Sequence, residues 1–168
     1  MADFRSLKPA ELTDNPFRLI GDDWMLITAG TPADWNTMTA SWGGLGVLWS
    51  RPVAFAFIRP TRHTFGFVER HPRFTLSFFE ESWRSALQLC GTRSGRDTDK
   101  ARETGLKPVP GPAGTVLFEQ ARLVLVCRRL HGQDIDPGCF IEPAINDEYP
   151  KRDYHRAYVG EIEHCLLR

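Results

Sequence analysis

A mainly β fold, antiparallel and closed or half-closed into a barrel with a few short helices, is predicted by three observations. Short runs rich in β-branched, aromatic and apolar residues recur along the chain, each bounded by Gly, Pro or Asp. Helical spacing of apolar residues appears at only a few places. Strand and helix patterns do not alternate regularly, which argues against a doubly wound parallel sheet. With 168 residues, 42% of them apolar, the chain is the size of one globular domain, 1–168, and buries roughly two-thirds of its unfolded surface on folding.

Taken in order, Asn15 and Pro16 predict a short helix through Ile20, Asn as its cap and Pro in its first turn. Strands are predicted at Trp24 to Ala29, Thr37 to Trp42, Val53 to Ile58, Phe74 to Phe79 and Leu123 to Arg128. Gly43 to Pro52 reads as a turn and connection. Helices are predicted after Thr61 and after Ser82, each a capping residue ahead of helix-spaced apolar positions, and a third short one from Asp97. The last strand, Tyr158 to Leu167, does not alternate cleanly, so a bulge near Gly160 is expected. Lys107 to Gly114 is dense in Pro and Gly but too short to separate domains.

Lys plus Arg and Asp plus Glu both total 21, so the overall charge recruits neither nucleic acid nor an anionic membrane. The charge is uneven, however. Residues 51–107 carry eleven basic and six acidic side chains. A compact basic segment in a neutral protein suits a small phosphorylated ligand, or is a solvated basic surface. No apolar run approaches the roughly 20 residues that span a bilayer, and the N-terminus lacks the marks of a signal peptide. A cytoplasmic protein with free thiols at Cys90, Cys127, Cys139 and Cys165 is expected.

Trp42-Gly43-Gly44-Leu45-Gly46 lacks the spacing of a dinucleotide fingerprint, so its glycines serve a sharp turn or the close approach of a flat ligand. Arg59-Pro60-Thr61-Arg62-His63-Thr64 brings two guanidinium groups and two hydroxyls to a helix N-terminus. Exposed amides and bidentate donors there make an anion site, with ordinary capping beside two solvated arginines as the alternative. The loop Gly91 to Lys100 either closes over the same ligand or is a surface loop. Neither a GxSxG elbow nor a zinc spacing is present, so nucleophilic and metal catalysis find no support.

The run NTMTASWGGLGVLWSRPVAFAFIRPTRHTFGFVERHPRFTLSFF, Asn36 to Phe79, resembles the signature half of the flavin reductase-like family, in particular its flavoredoxin-type branch. CGTRSGRDTDKARETGLKP, Cys90 to Pro108, and YHRAYVGEIE, Tyr154 to Glu163, resemble that branch too. The resemblance implies an FMN-binding split barrel, a homodimer, with non-covalent FMN near the subunit interface. It implies that Asn36, Met38, Thr39, Ala40, Ser41 and Trp42 lie along the isoalloxazine and ribityl groups. Arg59, Thr61, Arg62 and Thr64 then meet the phosphate, while Ser94, Gly95 and Lys100 help enclose it. His155 stands at the pocket edge. Short side chains at Thr39, Ala40 and Ser41 make physical sense beside a planar ring. Trp42 either walls the ring or belongs to the barrel-end core. The implied activity is hydride transfer from NADH or NADPH to the flavin, with electrons passing to a second flavin, to oxygen or to a redox protein partner. An FMN electron carrier without nicotinamide activity is the rival.

Overall fold

The computed structural model describes residues 4–168. Its strands are β1 (Arg5–Leu7), β2 (Met25–Thr31), β3 (Asp34–Ala40), β4 (Gly43–Leu48), β5 (Arg51–Ile58), β6 (Arg73–Phe78), β7 (Pro108–Pro110), β8 (Val116–Phe118), β9 (Leu123–Asp134) and β10 (Arg156–Leu167). Three α-helices interrupt them: α1 (His63–Arg70), α2 (Arg84–Thr92) and α3 (Lys100–Thr104). The main sheet runs β3-β2-β6-β9-β10-β5-β4, with β1 on the far end of β10, and all its pairs are antiparallel. No backbone ladder joins β3 to β4, so the sheet stays open between its two ends. Strands β7 and β8 form a separate ribbon. Among the described residues no helix is long and apolar enough to cross a membrane.

Alternate residues of the central strands feed two apolar clusters. Met25, Ile27 and Ala29 of β2, with Leu123, Leu125 and Cys127 of β9, join the larger one. Leu26, Val124 and Val126 face the other way and pack with Leu87 and Cys90 of α2 and Phe118 of β8. Both faces of these strands are therefore covered, and Leu123 to Cys127 of β9 is an unbroken apolar run. A bulge lies between Val159 and Gly160. A Cβ on Gly160 would stand 2.7 Å from the Phe74 ring and 2.9 Å from Cys127 Cβ, so only glycine fits there. A second irregularity falls between Ile162 and His164.

Several sequence expectations are corrected. Gly43 to Pro52 is not a connection: it contains β4, paired with β5 from Gly43↔Ala56 to Leu48↔Arg51. The two-residue turn between them is Trp49-Ser50, with φ of 52° and 57°. Such left-handed turns are usually signalled by Asn-Gly or Asp-Gly, and neither residue gives that signal. Strand β3 ends at Ala40, leaving Ser41 and Trp42 in the crossing to β4. The predicted caps also move, each time because a tight turn occupies the residue expected to cap. Arg62 N–H donates to the Arg59 carbonyl (3.0 Å), so Pro60-Thr61 form a turn and α1 starts after Arg62. Glu81–Trp83 forms a 3-10 turn ahead of α2. Asp97 closes a turn onto Ser94, and the capping side chain is Asp99, accepting from Arg102 N–H at 3.1 Å. Only the first helix keeps its expected cap: Asn15 Oδ1 accepts from Phe17 N–H at 3.0 Å, and the turns continue as a π-helix over Arg18–Asp22.

Candidate functional site

Edge strand β3 is flanked by α1 and α2, and the residues of interest gather where these three elements meet the loop 93–99. Helix α2 ends there, leaving carbonyls with no partner further along the helix. Two cations answer them. Arg62 donates from Nη1 to the Gly91 carbonyl (2.8 Å), and Lys100 donates from Nζ to the carbonyls of Cys90 (2.9 Å) and Thr37 (2.6 Å). Both sit at the negative end of the α2 dipole, where positive charge is stabilised. Among the described residues neither pairs with a carboxylate, although Lys100 is only 6% exposed. Burial, reinforced by Arg62, pushes the Lys100 ammonium down to about 8. Burial and then Arg59 also lower Arg62 from the ordinary arginine range. The Cys90 thiol beside them is pushed up to about 11 by burial, so it stays neutral.

A cavity of about 150 Å³ opens onto this pair and is lined by Asn36, Thr61, Thr64, Ser94 and Gly95 as well as Met38, Arg62 and Lys100. His63, at the start of α1, has its pKa lowered by burial and by Arg96, Arg70 and Lys100, a sign of local positive potential. Gly95 lies directly on Asn36: a Cβ there would come 1.8 Å from Asn36 Oδ1. Asn36 is pinned in turn, its Nδ2 donating to Thr64 Oγ1 at 2.7 Å.

Met38 and Arg62 also line an adjoining cavity of about 250 Å³, bounded by Thr39, Ala40, Ser41, Trp42, Arg59 and His155. Trp42 is 42% exposed, which removes it from the barrel-end core. Its ring lies 5.0 Å from that of His155. The two cavities thus bring together all thirteen residues singled out from the sequence. Arg59 is the one whose position differs from expectation. It lines the second cavity, not the cationic one, and its guanidinium is bound to Asp153 (2.6 Å) and the Glu148 carbonyl (2.9 Å). Phe57, which lines the second cavity, and Tyr149, which contacts His155, were missed, while His63 and Arg96 stood inside the two motifs without a role of their own. Tyr149 gave no signal, because its loop carries no motif. A larger cavity, about 560 Å³, lies elsewhere beside Arg84 and Arg122. Its charges neutralise each other: Arg122 pairs with Asp14 and Asp23, and Arg84 with Glu81.

The family model for the flavin reductase like domain matches residues 17–168. The chain belongs to the flavin reductase-like family. No curated protein matches it in sequence. Among solved structures, the flavin reductase-like chain is similar to an FMN-binding domain of a flavin reductases-like enzyme from Shewanella baltica OS155. The TM-score is 0.71 at 15% identity, covering 99% of this chain and 78% of that one. It is similar to the flavoredoxin of Desulfovibrio vulgaris (Miyazaki F), with TM-score 0.68, 18% identity and coverages of 98% and 77%. An FMN-binding protein from Thermus thermophilus with bound 1-cyclohex-2-enone gives 0.68 and 20%, with coverages of 98% and 79%. At these identities the likeness is one of fold, and it identifies the open antiparallel sheet as the split barrel expected from the sequence.

Proposed function

We propose that this flavin reductase-like chain binds FMN non-covalently and reduces it with NADH or NADPH. The observation that carries the reading is the pair Arg62 and Lys100, two cations held by backbone carbonyls and paired with no carboxylate among the described residues. A dianionic phosphate suits that donor set, with the hydroxyls of Thr61, Thr64 and Ser94 and the first amides of α1 close by. FMN held there would supply the redox chemistry, as acceptor of a hydride from the nicotinamide and donor of electrons to a second flavin, to oxygen or to a protein acceptor.

The chain's own residues bind and orient. Thr39, Ala40 and Ser41 keep the wall of the second cavity short, so a flat ring can lie close to the backbone. Trp42 and His155 close one side. Arg59 is neutralised by Asp153 and fastens the loop 148–153 at the rim. The protein acts as a homodimer, a reading supported by the edge strand β4 and the residues flanking it, where Trp42, Val47 and Trp49 are 42%, 79% and 55% exposed. Sedimentation is expected to give a dimer mass; a monomer with FMN fully bound would contradict it.

Anaerobic stopped-flow mixing of the FMN-loaded protein with NADH and NADPH tests the activity. Bleaching of the flavin absorbance by at least one donor is expected. If neither bleaches it, the reductase reading is lost and the electron-carrier reading replaces it. Arg62→Ala is expected to weaken FMN binding by on the order of 1.5–3 kcal/mol, since a charged hydrogen bond to phosphate is removed. An unchanged dissociation constant would place the phosphate elsewhere.

A further inference from the structure

Against His155, which lines the second cavity, stands a tyrosine that the binding argument does not use. Tyr149, only 5% exposed, has its hydroxyl 2.9 Å from His155 Nδ1. The phenol ring is held from two sides. Phe140 stacks on its ring with centroids 6.2 Å apart, Arg59 lies 4.8 Å over it, and the same Arg59 binds the carbonyl of Glu148 next door. Sequence offered no reason to single this tyrosine out.

The contact fixes a proton. Burial raises the Tyr149 pKa, so the phenol keeps its hydrogen and that hydrogen needs an acceptor. Among the described residues the only acceptor for the Tyr149 hydroxyl hydrogen is His155 Nδ1. Were Nδ1 to carry its own proton, it would donate to Oη and leave the phenolic hydrogen, on a residue only 5% exposed, without an acceptor among the described residues. The imidazole proton therefore sits on Nε2. Burial, with the positive charge of Arg59, pushes His155 down to about 4 against the opposing pull of Asp153, so the ring is neutral near pH 7. Nε2 makes no hydrogen bond to a described residue, and His155 lines the cavity beside Trp42.

We propose that Tyr149 is a positioning residue, which fixes His155 in the Nε2–H tautomer so that it presents a neutral hydrogen-bond donor to an acceptor atom of the flavin ring system. The proposal rests on the FMN reading above for the identity of the ring. A neutral donor suits this position because it favours an oxygen or nitrogen acceptor without adding a third cation to a site that already holds Arg62 and Lys100.

Long-range proton–nitrogen NMR of the imidazoles, assigned by comparison with a His155→Gln variant, reads the tautomer directly. In the FMN-free wild type a single Nε2–H tautomer is expected, with no protonation above about pH 5. Tyr149→Phe keeps the ring and its packing, removes the donor to Nδ1, and is expected to give mixed tautomers. An Nδ1–H tautomer in the wild type, or an unchanged single tautomer in Tyr149→Phe, would overturn the proposal. Adding FMN to the wild type is expected to shift the Nε2 resonance, and Tyr149→Phe is expected to weaken FMN binding roughly threefold to tenfold. Quenching of flavin fluorescence reports binding separately. FMN bound with no Nε2 shift overturns the donor role and leaves the FMN site standing; no binding overturns the FMN reading, while the tautomer comparison still decides what Tyr149 does.

Discussion

FMN affinity is expected to fall as pH rises through about 8, by roughly tenfold between pH 7 and pH 9. Burial holds the Lys100 ammonium at about 8, against an ordinary 10.5, in the FMN-free protein. A phosphate beside it is largely dianionic above about pH 7, and it favours the charged lysine. Binding above pH 8 must therefore be accompanied by proton uptake, which costs affinity in proportion to the fraction of lysine already neutral. Cys90, pushed up to about 11, does not titrate in this window. Isothermal titration in two buffers of different ionisation enthalpy measures both the affinity and the proton uptake. In Lys100→Met the slope is expected to vanish, with weaker binding throughout. A flat wild-type profile would remove Lys100 from the phosphate site.

The same shift has the opposite sign for folding without FMN. Below pH 8 the lysine is protonated in both the folded and the unfolded chain, so this group adds no pH dependence. Between about 8 and 10.5 the unfolded chain keeps a proton that the folded one has released. Stability of the FMN-free protein from this group therefore rises with pH over that window. Affinity falling while apoprotein stability rises is a pattern that general alkaline denaturation does not produce.

Gly95→Ala is expected to weaken FMN binding tenfold or more and to destabilise the fold by roughly 1–3 kcal/mol. A Cβ at this position would lie 1.8 Å from Asn36 Oδ1 and 2.8 Å from Asn36 Cγ. Asn36 has nowhere easy to go, because its amide is tied to Thr64 Oγ1 at 2.7 Å and its residue is only 6% exposed. The loop 93–97 must move outward, taking Ser94 away from Arg62 and Lys100. Restoring space with Asn36→Ala in the Gly95→Ala background is expected to recover part of the stability but not the affinity. Thermal unfolding with and without FMN separates the two effects. An unperturbed melting temperature in Gly95→Ala would mean that the loop is not packed on β3.

How much of this was legible in the sequence differs by kind of information. Strands β2, β5, β6, β9 and β10 were readable because their apolar and β-branched runs record burial on one face or both. Strand β4 was not, since three of its six residues are glycine and its turn adopts positive φ at Trp49 and Ser50, residues that do not announce it. The helix starts at Thr61, Ser82 and Asp97 were displaced by one to three residues, because capping chemistry is local and does not register that a preceding turn already uses the residue.

By itself the sequence determined the antiparallel β class, the glycine at the bulge in the last strand and the stretches that line the site. Those features follow from composition, spacing and resemblance along the chain, where each residue carries its own signal. Tertiary structure decided what each charge does. Arg59 and Arg62 stand three apart in one motif, yet Asp153 neutralises the first, while the second joins Lys100 at the end of α2. Whether a cation is free for a ligand depends on which carboxylates and carbonyls arrive from distant segments, and a local motif contains no record of them.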